Sequence, residues 1–197
     1  MGTRETILAT ARAMAQAHGY GGLNFRELAA AIGIKSASVH YHFSTKAELG
    51  VVLARRYTDD ALAILETCLA EPSPDDCLRR YTDLFRLALG NGNRMCLCGY
   101  LAAEHEDLPE ALRTEVRRFA DVNIDWLTRV LVLREPTRLP AALRRRAEAI
   151  YAAVSGTQLA ARSRNDVGVY DALVATYRDL GLIPHTAEGD SPPAGRD

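Results

Sequence analysis

Hydroxyl and imidazole side chains are concentrated in one short stretch, residues 36–42, whose sequence is SASVHYH. On a helix with about 100° between successive residues, Val39 and Phe43 fall about 40° apart and form the only strongly apolar pair. We therefore expect them to face the core. The opposite surface is small, polar and aromatic without an acidic residue, and consists of Ala37, Ser38 and Tyr41, flanked by His40 and His42. Such groups can contact phosphates or base edges, which indicates a nucleic-acid interface; a solvated polar helix of an all-α domain is the alternative.

The four cysteines are the other residues that could do chemistry: Cys68, Cys77, Cys96 and Cys98. Structural disulfides are rare in cytoplasmic proteins, so we expect free thiols. If Cys96 and Cys98 lie on one helix, they point about 200° apart and cannot share one metal ion. No His/Cys pair elsewhere has the spacing of zinc ligands, so the sequence predicts no metal site and no cofactor.

Signals for helix starts and ends surround the polar stretch. Asn24, with Glu27 three residues later, predicts an N-cap with its capping-box partner. Gly33 permits the positive φ that ends this helix, and Ser36 can cap the next one. Thr45, again with a glutamate three residues later, starts another helix. Two short helices joined by a Gly-containing turn of about 3–4 residues describe a helix-turn-helix.

The sequence HYHFSTKAEL, preceded by RELAAAIGI, resembles the DNA-binding domain of the TetR family of transcriptional repressors over residues 3–53. It departs from the family pattern at two positions, since members usually carry Tyr where this chain has His40, and Ser where it has Lys35. The resemblance implies a homodimer that binds operator DNA and is released by a small-molecule inducer. The predicted DNA-binding residues are Arg26, Ser36, Ala37, Ser38, His40, Tyr41, His42 and Lys46.

Different roles are expected within this set. Arg26, Ser38 and His40 are the best candidates to read base edges. Lys46 lies in the first turn of the following helix, where free amides and the helix dipole favour an anion. A lysine at this position in the family contacts a phosphate, and a solvated surface lysine is the alternative.

Composition and charge agree with a DNA-binding domain joined to a second domain. Hydrophobic residues make up 48% and charged residues 25%, as in an ordinary soluble globular protein. Residues 1–56 hold seven Lys/Arg against three acids, whereas the rest hold 17 against 22. A basic end on an acidic body fits one domain on DNA and another kept off it. The start contains Glu5 and lacks a signal-peptide core, so a cytoplasmic, nucleoid-associated protein is expected.

Periodicity and caps predict an all-α protein with about nine helices. The expected organisation is a three-helix DNA-binding domain with the helix-turn-helix (1–55), a helical ligand-binding and dimerisation domain (56–183), and a disordered polar tail (184–197). The later helices are predicted at 46–69, 73–90, 95–105, 141–162 and 169–180. A further long helix, between those at 95–105 and 141–162, is predicted to start within residues 107–110 and to end at 134.

The last two predicted helices carry more apolar surface than one small core needs. The resemblance implies that they pack with those of a second subunit into a four-helix bundle, which would bury the surplus. The apolar residues concerned are Ala147, Ile150, Tyr151, Val154, Leu159, Val169, Leu173, Val174, Tyr177 and Leu180.

The resemblance also implies an inducer pocket. Asn123 interrupts an otherwise apolar helix face, and a buried amide needs a hydrogen-bond partner, which could be an inducer or a neighbouring backbone group. Aromatic side chains could wall a mostly apolar site, although each could equally be plain core. The predicted ligand-binding residues are Tyr81, Phe85, Cys96, Tyr100, Asn123 and Trp126.

The segment CLCGYLAAE is similar to the corresponding helix of a TetR subgroup that responds to small reactive electrophiles or acrylate-like compounds. A helix N-terminus or Arg94 beside Cys96 or Cys98 would favour the thiolate, which an alkylating or oxidising inducer could then modify. Two small buried hydrophobic residues are the alternative.

The sequence bears on two other classes of function. For an enzyme, the only suggestive cluster is His105 with Glu104 and Glu106, which a solvated helix end explains, so no catalytic residue is predicted. A helical protein-interaction adaptor that does not bind DNA is the alternative function.

Overall fold

The computed structural model describes residues 2–69 and 73–185, and these form nine α-helices and no β-strand. The all-α prediction is therefore confirmed. The helices are α1 (Thr3–His18), α2 (Phe25–Ile32), α3 (Ser36–His42), α4 (Lys46–Leu69), α5 (Pro74–Gly90), α6 (Leu97–Ala103), α7 (Glu110–Arg134), α8 (Pro140–Arg164) and α9 (Val167–Asp179), with a 3-10 turn at His105–Asp107 between α6 and α7.

Local capping explains where the short helices begin and end. The Asn24 side chain accepts the backbone N–H of Arg26 at 2.8 Å, and Gly33 ends α2 in the left-handed region at φ 80°. The Thr45 hydroxyl accepts the backbone N–H of Glu48 at 3.0 Å. The N-caps at Asn24 and Thr45 and the helix end at Gly33 are confirmed, whereas the Glu48 carboxylate accepts the backbone N–H of Ser44 and not that of its predicted capping-box partner Thr45. The predicted cap by Ser36 is wrong, because Ser36 is already the first residue of α3 and its predecessor occupies the N-cap position.

The predicted bounds of the later helices agree with the structure to within two residues, and only α6 differs by two residues at both ends. It is shorter than the predicted 95–105, because Cys96 occupies its N-cap position with an extended ψ of 129°. Cys96 therefore precedes the helix, and the predicted placement of both neighbouring cysteines within one helix is wrong.

The described residues form two compact units, and the first comprises residues 2–62 and 94–122. Its helices are α1 to α3, the first part of α4, α6 and the first part of α7. The Gln16 side-chain amide donates to the Met95 carbonyl at 2.9 Å, which ties α1 to the start of α6. The buried side chains of this unit include Ile7, Ala11, Leu28, Val39, Phe43, Leu49, Leu97 and Leu112.

The second unit comprises residues 63–93, without 70–72, and residues 123–185. Buried polar groups fasten α5 to α8 and α9. The Gln158 amide donates to the Phe85 carbonyl at 2.8 Å, and the Tyr170 hydroxyl donates to the Thr82 carbonyl at 2.8 Å. Each bond satisfies a polar group that would otherwise be costly to bury.

The two compact units are each discontinuous in sequence, whereas the predicted domains are the continuous segments 1–55 and 56–183. The two divisions are therefore not equivalent, and the predicted domain boundaries stay a prediction. The predicted tail lies outside the described residues from 186 onward, and its first residue, Pro184, is buried. The predicted chain break at 71–74 lies partly outside them as well, since 70–72 are not described. None of the described helices combines the length and the apolar character needed to cross a membrane.

Candidate functional site

Helix α3 separates a buried face from an exposed face. Val39 and Phe43 are 0% and 1% exposed, as predicted, whereas Tyr41 is 86% exposed. Ala37 and His40 are also exposed, and Ser36, Ser38 and His42 are half-buried. The exposed face of α3 therefore offers methyl, hydroxyl, phenol and imidazole groups, which can donate to or accept from a nucleic acid.

Aromatic contacts orient the imidazoles at this face. The His40 ring meets Phe25, the first residue of α2, edge-on with 4.8 Å between centroids. Arg26, exposed, follows Phe25 in the chain. The His42 ring lies edge-on to Tyr41 at 5.2 Å. Packing of His40 against α2 restricts its rotamers, which is a favourable property for a residue that reads base edges.

Lys46, at the start of α4, contacts the loop between α1 and α2. Its ammonium lies 4.3 Å from the centroid of the Tyr20 ring and 3.5 Å from the Gly21 carbonyl. A cation over an aromatic face is a favourable arrangement. Tyr20 was not among the residues predicted for the site, because nothing in the sequence HGYGG indicates which helix its ring will contact.

The predicted ligand-binding residues fall into the two units. In the second unit, the Tyr81 ring stacks on Trp126 at 5.7 Å and meets Phe85 at 5.2 Å. Trp126 is fully buried and its indole N–H donates to the Leu65 carbonyl at 2.9 Å, while Asn123 is 2% exposed. Cys96 and Tyr100 lie in the first unit. The structure thus brings three aromatic residues of the set together as a packed cluster.

Comparison with known proteins identifies the family. Residues 7–50, from α1 to the beginning of α4, match the model of bacterial regulatory proteins of the tetR family. A TetR transcriptional regulator from Legionella pneumophila is 32% identical, with a TM-score of 0.81 over 89% of this chain and 97% of that one. The chain belongs to the TetR family.

Other solved structures support the same fold. A TetR-family regulator from Agrobacterium tumefaciens is 29% identical, with a TM-score of 0.81 over 90% of this chain and 96% of that one. The reduced form of Escherichia coli NemR is 24% identical, with a TM-score of 0.78 over 94% of this chain and all of that one. No curated protein matches the sequence.

Membership of the TetR family makes this protein a DNA-binding transcription regulator with a helix-turn-helix, and not an enzyme. Helices α2 and α3, with the turn at Gly33, are that helix-turn-helix, and α3 is its recognition helix.

The two neighbouring thiols of this TetR-family regulator lie in the interior of the first unit. Burial raises the pKa of Cys96, and the backbone N–H groups of Gly99 and Cys98 and the Tyr57 hydroxyl oppose this only in part. Burial raises the pKa of Cys98 further. Cys96 does lie at a helix N-terminus, as the reactive-thiol hypothesis requires, yet in this state both thiols are protonated near neutral pH.

Proposed function

We propose that this protein is a ligand-responsive repressor that binds operator DNA as a homodimer and releases it when a small-molecule inducer binds. The observation that carries the proposal is the division of α3 into a buried face, Val39 and Phe43, and an exposed face without acids. A short helix with this division enters the major groove in helix-turn-helix proteins.

In this proposal, different residues of the site contact different parts of the DNA. Arg26, Ser38 and His40 contact base edges, and Lys46 contacts a phosphate. The other proposed contacts on the recognition helix are Ser36, Ala37, Tyr41 and His42. Phosphate contacts supply affinity and orientation, while the base contacts supply sequence preference.

A homodimer would place two recognition helices about 34–36 Å apart, matching two half-sites one helical turn apart. The surface of α8 and α9 supports this assembly. Leu159 on α8 is 55% exposed, and Leu180, directly after α9, is 76% exposed. Exposed leucines on the two helices that the family resemblance assigns to dimerisation would be buried by a second subunit.

The proposed inducer site is built, within the second unit, around the cluster of Tyr81, Phe85 and Trp126, with Asn123 as a polar contact. Cys96 and Tyr100, in the first unit, are proposed separately as ligand-binding residues. The inducer would favour a conformation whose recognition helices no longer match the operator. Its effect on operator affinity is bounded by its differential affinity for the two conformations, typically about 1–3 kcal/mol of coupling.

Selection of bound duplexes from a random DNA pool tests the proposal directly. We expect enrichment of one sequence with two related half-sites, and an affinity that falls steeply as salt rises, because bound phosphates release counterions. The absence of any enrichment would contradict the proposal and favour the protein-interaction adaptor.

The inducer can be sought with the same duplex. Compounds that release the selected DNA should change the fluorescence of Trp126, which is the single tryptophan of the chain. Release without any change in tryptophan emission would place the inducer elsewhere.

A further inference from the structure

The loop between α1 and α2 is held by a residue far away in the chain. The backbone N–H of Tyr20 donates to the Glu104 carboxylate at 2.6 Å, although 84 residues separate the two. Glu104 is the C-cap residue of α6. A hydrogen bond to a carboxylate is stronger than one between neutral groups, so this contact fixes the loop against the end of α6.

Gly19 allows the carboxylate to come this close. Its φ of 70° lies in the region that favours glycine, and a Cβ at this position would collide with the Glu104 carboxylate and the Tyr100 ring. The loop therefore packs closely against the end of α6, and this packing requires a residue without a side chain at position 19.

The Tyr20 ring in turn lies along one face of α4. A Cβ on Gly50 would come within 3.2 Å of this ring, and Lys46, one helical turn earlier, places its ammonium over it. The same ammonium lies near the Gly21 carbonyl. Two groups of one loop thus determine where the Lys46 charge is held.

We propose that Glu104 is a positioning residue for DNA binding, which holds Tyr20 beneath Lys46 and so presents the Lys46 ammonium to an operator phosphate. This inference rests on the proposed function, because it requires Lys46 to contact DNA. It adds that α6, the helix that begins directly after Cys96, sets the position of a DNA-contacting charge through one carboxylate.

The direction in which DNA affinity changes when Glu104 is removed distinguishes a positioning role from an effect of its negative charge alone. Removal of an acid from a DNA-binding protein ordinarily strengthens binding, because the protein becomes more positive. If Glu104 positions Lys46, Glu104→Ala weakens binding instead. Glu106→Ala is the matched control, since Glu106 is an exposed acid two residues away, and its loss should leave affinity unchanged or slightly higher.

The experiment measures affinity against salt concentration for the duplex that the wild type selects. In the proposed homodimer, Lys46→Ala removes one phosphate contact from each subunit, so it should lower the salt slope by about 1.8 and weaken binding about tenfold or more. Glu104→Ala should likewise lower both the salt slope and the affinity for the duplex. When Lys46→Ala is already present, adding Glu104→Ala should change the affinity less than about twofold. Unchanged or tighter binding by Glu104→Ala, or losses that multiply in the double variant, would overturn the proposal.

A second pair of variants keeps the test decisive if Glu104→Ala folds poorly. Tyr20→Leu removes the aromatic face and should lower the salt slope as Lys46→Ala does. Tyr20→Phe keeps the aromatic face and should have the salt slope of the wild type. Equal slopes for these two variants would overturn the proposal. A wild-type protein that selects no duplex would instead contradict the proposed function itself, so the two failures are distinguishable.

Discussion

The guanidinium of Arg4 lies over the ring of Phe43, with 5.2 Å between its carbon and the ring centroid. Phe43 caps the C-terminal end of α3 and is buried, so this contact joins the start of α1 to the end of the recognition helix. Helix α3 has only seven residues, too few to be stable alone in water. Its position therefore depends on the two side chains that it buries, Val39 and Phe43.

Truncation of the buried face should destabilise the domain. Phe43→Ala is expected to lower the free energy of unfolding by about 3–5 kcal/mol, the usual cost of removing a buried phenylalanine side chain. Urea or thermal denaturation followed by circular dichroism measures this loss.

Tyr41→Ala, on the opposite face of the same helix, is the matched control. The free energy of unfolding should change by less than about 0.5 kcal/mol, because the side chain is exposed. Affinity for the selected duplex should fall all the same. Equal destabilisation by the two substitutions would show that the two faces of α3 are wrongly assigned.

Gly33 provides a test of backbone conformation without any effect of packing. A Cβ at Gly33 would meet no atom within 4 Å, yet its φ is 80°. Gly33→Ala should therefore lower the free energy of unfolding by about 1–2 kcal/mol through backbone strain alone.

Gly33→Asn should cost less, because asparagine tolerates the left-handed region better than alanine does. Chemical denaturation of the two variants side by side measures the difference. An alanine variant as stable as the asparagine variant would argue against this conformation at the turn.

The buried thiols make stability depend on pH in the alkaline range. The pKa of Cys96 and of Cys98 is raised in the folded protein by burial, so the unfolded chain loses these protons first. The contribution of these two thiols to the free energy of unfolding is fully present below the pKa of a thiol in the unfolded chain, about 8.5, and is lost as the pH rises above that value. Burial also raises the pKa of Tyr57, which extends the loss to higher pH.

Urea unfolding at about pH 7.5 and pH 9.5 checks this expectation, with lower stability at the higher pH. The double variant Cys96→Ala/Cys98→Ala should lose much of that difference. Alkylation by iodoacetamide near neutral pH supplies an independent measurement, since both thiols should react much faster in urea than in the folded protein. Fast alkylation of the folded protein at Cys96 would revive the reactive-thiol hypothesis.

The proposed dimer can be tested on the exposed leucines of the last two helices. Leu159→Glu and Leu180→Glu should shift the protein from dimer to monomer, because a buried charge without a partner is costly. Size-exclusion chromatography with light scattering measures the mass. Leu87→Glu on α5 is the control, as Leu87 is 66% exposed and lies outside α8 and α9. A wild-type monomer, or a dimer that survives both substitutions, would contradict the assignment.

Features that depend on three or four neighbouring residues could be predicted from the sequence. The Asn24 cap, the left-handed Gly33 and the Thr45 cap each involve bonds or dihedral angles within one helical turn. Local chemistry did not decide every boundary. Ser36 is a good capping residue, but the chain enters the helix one residue earlier, and Cys96 takes an extended conformation that shortens α6.

Contacts between distant parts of the chain could not be predicted in this way. Periodicity indicated that Tyr81 and Trp126 are helical, but their stacking depends on how α5 and α7 pack. The bond between Tyr20 and Glu104 is a stronger example, since a glutamate after a helix and a tyrosine between glycines are each ordinary in isolation.

The amino-acid sequence by itself determined the helix-turn-helix, the inward direction of Val39 and Phe43 and the all-α class, because helical periodicity and capping act over a few residues. Tertiary structure alone decided that Lys46 rests on Tyr20, that Glu104 holds the same loop, and that the thiols of Cys96 and Cys98 are buried. These outcomes arise from close packing between segments far apart in the chain, where shape and solvent exclusion, and not residue type, decide which groups meet.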